Sequence, residues 1–349
     1  MRDELNRMIA STDKIDCLVD ERWIGFDGIG RYATETFNRL GTYRTVEASI
    51  KRLGLFEPLS LSFELIKKKP SVYYTPGFNP PLISSIPVVF TIHDLIHVRY
   101  PAESSLAKRI YYNFHLKRAA RNAAYVITVS EFSRREIVSW AKIDKRKVIA
   151  IYNGVSSQFI PVGNAKRFDR PYLFYVGNRK PHKNVPTTWK ALTLLKETHP
   201  KVQLLMTGIG TDDELRRISN MGLENVVKFI GFVDDATLAE YYRGAIALVL
   251  PSFYEGFGLP AIEAMACGTA VIVANATALP EICTDAGIYF NPCSSSDLVD
   301  KMRQVLDSPE LRKTKITLGL QVVKKYDWDD TAQRIEDVLC RAAKEGASI

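Results

Sequence analysis

Two glutamates separated by seven residues, Glu255 and Glu263, stand in the stretch PSFYEGFGLPAIEAMACGT that runs from Pro251 to Thr269. An apolar run ahead of them, Ala245 to Leu250, reads as a buried strand that stops at Pro251. Pro260 fits a first helical position, where a missing N–H is no loss. A helix over Pro260–Met265 would therefore aim its N-terminus at the loop of Gly256, Phe257, Gly258 and Leu259. Free backbone N–H groups and the helix dipole make such a place an anion site, suited to a phosphate or diphosphate. Carboxylates do not hold phosphate, so the two glutamates suit hydroxyl groups, whose O–H donors an ionised carboxylate accepts. A diphosphate flanked by hydroxyl-rich rings describes a nucleotide sugar. Two solvated acids beside a helix start is the plainer reading of the same spacing.

The elements that must position these groups follow from the rest of the chain. At 349 residues it is too long for one ordinary core, and two domains of about 150–180 residues are expected. Strand and helix signals alternate, as in parallel α/β domains. Strands are expected at Asp16–Asp20, Val72–Tyr74, Val88–Ile92 and Tyr125–Val129, with a glycine turn and helix over Gly28–Leu40 and a basic helix over Ser105–Asn122. Turn residues Gly154 to Arg170 read as a linker, after which the alternation restarts with Tyr172–Val176, a helix near Val185–Thr198, Val202–Thr207, a helix near Asp213–Met221, Val226–Phe229, Leu238–Tyr242 and Ala245–Leu250. Domain limits of 1–160 and 161–331 result, with a C-terminal helix, 332–349, returning to the first domain. Ligands of such sheets bind at the carboxyl ends of the strands.

Composition narrows the class. Hydrophobic residues make up 46% and charged residues 25%, as in a soluble globular protein, and no run approaches the ~20 apolar residues of a membrane span. The N-terminal MRDELNRMIASTDK has no apolar core of a signal peptide. Cys17, Cys267, Cys283, Cys293 and Cys340 show neither metal nor disulfide spacing, which favours a reducing cytoplasm. Residues 1–160 carry 24 Lys and Arg against 16 Asp and Glu, while residues 161–349 carry 23 of each. The whole basic excess therefore lies in the first half. It suits an anionic membrane surface or a phosphate-bearing acceptor, or is simply a basic solvated face. Nucleic acid is not expected as a partner, because no reading motif accompanies the charge.

SFYEGFGLPAIEAMACGTAVI resembles the donor-site signature of the retaining glycosyltransferases of family four. That family has the GT-B fold, an α/β architecture of two Rossmann-like doubly wound domains facing across a cleft. The resemblance spans roughly Asp20 to Ala332. It implies that Glu263 binds the ribose hydroxyls, that Glu255 contacts the donor sugar, and that the backbone of Gly256, Phe257, Gly258 and Leu259 meets the diphosphate. YLFYVGNRKPHKN, Tyr172 to Asn184, is similar to the family's strand–Gly–Arg…Lys–Asn element. Gly177 is its turn and Lys183 its phosphate-binding lysine, while Asn178 takes the usual arginine position and Arg179 comes one residue later. Cations at this strand end would neutralise a leaving diphosphate, an effect of order 10²–10³ in rate for one well-placed donor.

Gly28-Ile29-Gly30 resembles the amino-terminal glycine loop that approaches the donor phosphates, though a plain strand–helix turn has the same look. His93-Asp94 is similar to the family's cleft histidine, near the reacting carbon. Gly231-Phe232-Val233 resembles the region whose backbone reads the nucleobase, with Phe232 equally suited to a core; Gly208-Ile209-Gly210 is a similar strand-end turn. Ser130 fits an N-cap completed at Ser133, and Arg134 a phosphate contact. The catalytic set implied is thus His93, Glu255, Arg179 and Lys183. Asp327-Trp328-Asp329 has the form of a metal-binding DxD but stands just before a C-terminal helix, with Asp330 and Thr331 as capping residues, so no metal and no cofactor is expected.

The YVGNRKPHKN and GIGRYA variants look most like bacterial mannosyltransferases of surface polysaccharides. GDP-mannose is the expected donor, with UDP-sugars open, and a saccharide or lipid-linked saccharide the expected acceptor. Transfer with retention by same-face displacement is what the fold implies. A nicotinamide enzyme resting on Gly28 and Gly30 is the rival of another class, but Ala33 stands where the third fingerprint glycine belongs.

Overall fold

The computed structural model of the protein describes residues 15–25, 28–47, 49–54, 56–100 and 104–347; the segment weighed above as a signal peptide lies outside the described residues. One sheet holds β1 Cys17–Val19, β2 Arg44–Thr45, β3 Val72–Thr75, β4 Val88–Thr91, β5 Tyr125–Thr128 and β6 Val148–Ala150, in the order β2-β1-β3-β4-β5-β6. The other holds β7 Tyr172–Tyr175, β8 Gln203–Met206, β9 Val227–Phe229, β10 Ala247–Leu250, β11 Ala270–Ala274 and β12 Gly287–Phe290, in the order β12-β11-β10-β7-β8-β9. All pairings between these strands are parallel. The tetrapeptides VYYT, VVFT, YVIT, YLFY, QLLM and ALVL are buried at each position, as strands covered on both faces by helices must be. Leu238–Tyr242 is not a strand; it falls within the helix Asp235–Gly244, whose N-cap Asp234 accepts from the Thr237 amide.

Each strand order reverses direction once, and those reversals decide where a ligand can sit. In the first sheet the chain steps from β1 out to β2 and then back past β1 to β3. In the second it runs β7, β8, β9 and then crosses to β10 on the other side of β7. Loops leaving the two strands at such a switch point diverge and leave a crevice. The loops after β7 and β10 carry Gly177 to Lys183 and Glu255 to Gly258, so the second domain brings both of its charged motifs to one crevice.

The last helix, Trp328–Gly346, packs on the first domain against the helix Gly28–Phe37 and strands β3 to β5. It starts earlier than the sequence indicates. Asp327, rather than Asp330 or Thr331, is its cap, accepting from the amides of Asp329 at 2.6 Å and Asp330 at 3.1 Å. Those bonds give the DxD triplet a role in chain geometry. The basic helix is one continuous run, 106–122, with a π-helical centre at Tyr111–Leu116.

Candidate active site

Between the domains lies a cleft of about 920 Å³. Its walls include Gly25, Arg31 and Glu35 from the first domain and Gly177, Arg179, Phe232 and Asp235 from the second. Gly258 stands at φ +108°, a conformation that favours glycine, and turns the chain into the helix Leu259–Ala266 with Pro260 in its first turn. Glu263 projects from that helix into a buried niche, 5% exposed. Its Oε2 accepts from the Tyr242 hydroxyl at 2.9 Å and its Oε1 from Arg31 Nη1 at 2.7 Å. Arg31 also pairs with Asp235, so one guanidinium of the first domain joins two carboxylates of the second. Burial raises the Glu263 carboxyl above its ordinary range, and Arg31 and the Tyr242 bond hold that rise in check.

Arg31 reaches this place because its helix starts close to the preceding loop. A Cβ on Gly30 would lie 2.5–2.7 Å from backbone atoms of Gly25, so only glycine allows the approach. Gly28, Ile29 and Gly30 are themselves the first turn of the helix Gly28–Phe37, which corrects the expected glycine turn ahead of a helix.

Glu255 occupies the other charged position. Lys183 Nζ donates to both its oxygens, at 2.7 and 2.9 Å, and the Ser252 hydroxyl donates to Oε1 at 2.6 Å. The loop with Lys183 is held to β10 by Asn184, whose Nδ2 donates to the carbonyls of Pro251 at 3.0 Å and Pro292 at 2.8 Å. Asp94 of the first domain lies close to this pair. Burial pushes its carboxyl up, the Ile96 amide at 2.9 Å pulls it back, and the Glu255 charge adds to the rise. His93 donates from Nε2 to the Pro76 carbonyl at 2.8 Å, with its ring edge-on to Tyr32.

The domains meet at backbone contact here. A Cβ on Gly256 would lie 2.7 Å from the His93 carbonyl oxygen and 2.8 Å from Asp94 Cβ. Ser130, the N-cap of the helix Glu131–Ala141, also donates to the Gly256 carbonyl at 2.7 Å. Glu281 of the second domain accepts from the Glu131 and Phe132 amides at 2.7 and 2.8 Å, a carboxylate on a helix N-terminus across the interface.

Arg179 and Arg134 both have protein partners. Arg179 lines the cleft, but its Nε is bonded to Glu214 at 2.6 Å and its Nη atoms to the carbonyls of Thr207 and Ile209, with the guanidinium over the Phe229 ring. Arg134 pairs with Glu131 and donates to the Lys145 carbonyl. The core reading of Phe232 fails: the ring is 87% exposed at the cleft rim, beside Val233. The Phe257 side chain is buried against Tyr152 and Tyr326, leaving its backbone to the loop. Arg31, Asp235, Tyr242 and Glu281 escaped the sequence reading. Only Arg31 had a local signal, a cation directly after the glycine pair.

Two Rossmann-like domains facing across a cleft, with carboxylates, a lysine and a helix N-terminus at the switch point of the second sheet, have the form of a GT-B glycosyltransferase. The comparisons agree. Residues 26–159 match the family model described as Glycosyltransferase Family 4, and residues 156–317 that of Glycosyl transferases group 1. The O-antigen chain mannosyltransferase B of Escherichia coli is 30% identical over 300 residues, covering 82% of this chain and 78% of that relative. The O-antigen chain mannosyltransferase RfbU of Salmonella typhimurium is 29% identical over 256 residues, 72% of this chain and 69% of the relative. In fold, the chain superimposes on sucrose-phosphate synthase from Thermosynechococcus elongatus with a TM-score of 0.77 at 22% identity, covering 95% of this chain and all of that one. The chain belongs to the retaining glycosyltransferase family 4, and it is a hexosyltransferase acting with a nucleotide-sugar donor and a saccharide acceptor.

Proposed function

We propose that the protein transfers mannose from GDP-mannose to a lipid-linked saccharide at the inner face of the cell membrane, in surface-polysaccharide synthesis. The separation of the two glutamates carries the nucleotide-sugar part of this reading. Glu263 lies in a buried niche suited to ribose hydroxyls, whereas Glu255 is joined to Lys183, where sugar and diphosphate would meet. The two O-antigen mannosyltransferase relatives support mannose as the transferred sugar, and the basic first half supports an acceptor at an anionic surface. Lys183 and the backbone of Gly256, Phe257, Gly258 and Leu259 would bind the diphosphate, with no resident metal or cofactor required. His93 and Glu255 would face the sugar, and Phe232 with Val233 the base. Transfer then breaks the bond from the anomeric carbon to the phosphate oxygen. The acceptor hydroxyl oxygen bonds that carbon on the same face, and its proton passes to the departing phosphate. Domain closure around Gly256 would keep water out.

Calorimetric titration with GDP, UDP, dTDP, ADP and NAD, in chelator and without added metal, tests this. GDP is expected to bind tightest, Glu263→Ala to weaken it at least ten-fold, and Glu255→Ala to reduce turnover while keeping most of the affinity. Preference for UDP overturns the donor, and equal loss of affinity in both variants overturns the division of roles.

A further inference from the structure

Two helices of the first domain are apolar on two sides, and only one side of each is covered. On the helix Glu57–Lys68, Leu61 and Leu65 face the core, whereas Phe63 and Ile66 stand 64% and 57% exposed, in line with Phe56 at 71%. On the run 106–122, Tyr112, Leu116 and Ala120 are buried, whereas Leu106 and Phe114 are 70% and 72% exposed, with the half-exposed Ile110 between them. The loop from Phe78 to Ile83 ties the two helices together. The Leu82 amide donates to the Pro58 carbonyl at 2.9 Å, and the Tyr111 hydroxyl donates to the Phe78 carbonyl at 2.9 Å. An apolar groove of about 820 Å³ runs between them, and nothing among the described residues covers it.

A contiguous apolar face of this kind marks an interaction site. The charge around it selects the occupant. Lys67, Lys68 and Lys69 close the first helix, and Lys108, Arg109, Lys117, Arg118 and Arg121 lie along the second run, where residues 104–122 contain no carboxylate. Of the acids on the helix Glu57–Lys68, Glu57 is buried against Arg22 and Glu64 is buried in a pair with Lys68 at 2.6 Å. Lys67 lies 3.6 Å from Glu47, so Lys69 and the cations of the second run carry most of the uncompensated charge. Protruding aromatic and aliphatic side chains among cations, with no exposed counter-charge on these two elements, match the boundary zone of an anionic bilayer, where apolar groups enter the acyl region and cations meet headgroup phosphates.

We propose that the face formed by Phe56, Phe63, Ile66, Leu106, Ile110 and Phe114 docks on an anionic phospholipid bilayer. Its position suits the acceptor. Phe78 and His97 line the groove, and the same two chain segments carry Pro76 and His93, joined by a hydrogen bond, to the domain contact at Gly256. A glycan on a lipid held in that bilayer would therefore approach the reacting carbon from the side of the docked face. This placement rests on the reading of a lipid-linked acceptor given above; the docking itself does not.

Sedimentation with vesicles of phosphatidylcholine containing about one-third phosphatidylglycerol tests it, against vesicles of phosphatidylcholine alone. The parent protein is expected to sediment with the anionic vesicles, to leave them in high salt, and to bind the neutral ones far less. Phe63→Ser combined with Phe114→Ser should lower partitioning roughly ten-fold or more. Unchanged GDP affinity and an unchanged melting curve show that the variant is folded. A parent that stays in the supernatant overturns the proposal, as does a double variant that partitions like the parent. So does equilibrium sedimentation in which the parent is a dimer and the double variant a monomer. GDP binding without vesicle binding would sink the docking face alone, and vesicle binding without nucleotide binding would sink the mannosyltransferase reading alone.

Discussion

Replacing Arg31 with methionine removes the charge that joins Glu263 and Asp235 across the cleft while keeping an unbranched side chain of similar reach. Glu263, 5% exposed, then keeps only the Tyr242 hydroxyl among its described hydrogen-bond donors. Breaking a fully buried ion pair costs about 3–5 kcal/mol. Water reaches this one, since the Arg31 side chain is 21% and that of Asp235 35% exposed, and ~2–3 kcal/mol is the expected loss near neutrality. The sign of its pH dependence follows from the direction of the shift. Glu263 is held above its ordinary 4.5 in the folded protein, so its contribution to stability is fully present below that value and is lost as pH rises through the folded-state pKa. Arg31 opposes the rise, and its removal extends the loss to higher pH. The gap between parent and variant should thus be small, ~1 kcal/mol or less, near about pH 5 and reach its full size near about pH 7.5. Urea unfolding of both proteins at the two pH values measures it. A gap of equal size at both would refute charge compensation and leave Arg31 a packing role against the Phe159 ring, 5.7 Å away.

Two further substitutions probe the domain contact. Gly256→Ala places a Cβ within 2.7 Å of the His93 carbonyl oxygen and should cost about 1–3 kcal/mol. Steady-state kinetics should show turnover falling at least ten-fold and nucleotide affinity falling with it, because the clash with His93 and Asp94 displaces the backbone proposed to meet the diphosphate. Glu281→Ala removes the acceptor of two helix amides and should cost ~1–2 kcal/mol. Hydrogen exchange at Glu131 and Phe132 should rise in that variant, and unchanged protection there would refute the interdomain cap.

Motifs written in consecutive residues were legible before any fold was known. Glycine and proline mark where β10 ends and the next helix starts, and Ser252, which donates to Glu255, lies on the same short loop, whereas Lys183 reaches Glu255 from 72 positions away. Arg31 and Glu263 are 232 positions apart, and their pairing depends on how closely two domains approach. No local spacing encodes that distance. The Gly30 contact with Gly25 shows the physical reason: two backbones must touch before the guanidinium reaches across. Arg179 lines the cleft, as its position after a strand end led us to expect, but its partners, Glu214 on a neighbouring helix and the carbonyls of Thr207 and Ile209, lie 28 to 35 positions away and had no local signal.

The exposed face was hidden by a different ambiguity. Leu106, Ile110 and Phe114 recur at helical spacing, as do Tyr112, Leu116 and Ala120, and periodicity alone assigns either stripe to a core. Only the position of the first sheet decides between them, and it covers the second stripe. A helix apolar on both sides is normally buried on both. The stability of the fold accounts for the inner side, so the outer apolar residues require a reason outside the folded chain, and the cations beside them define its chemistry.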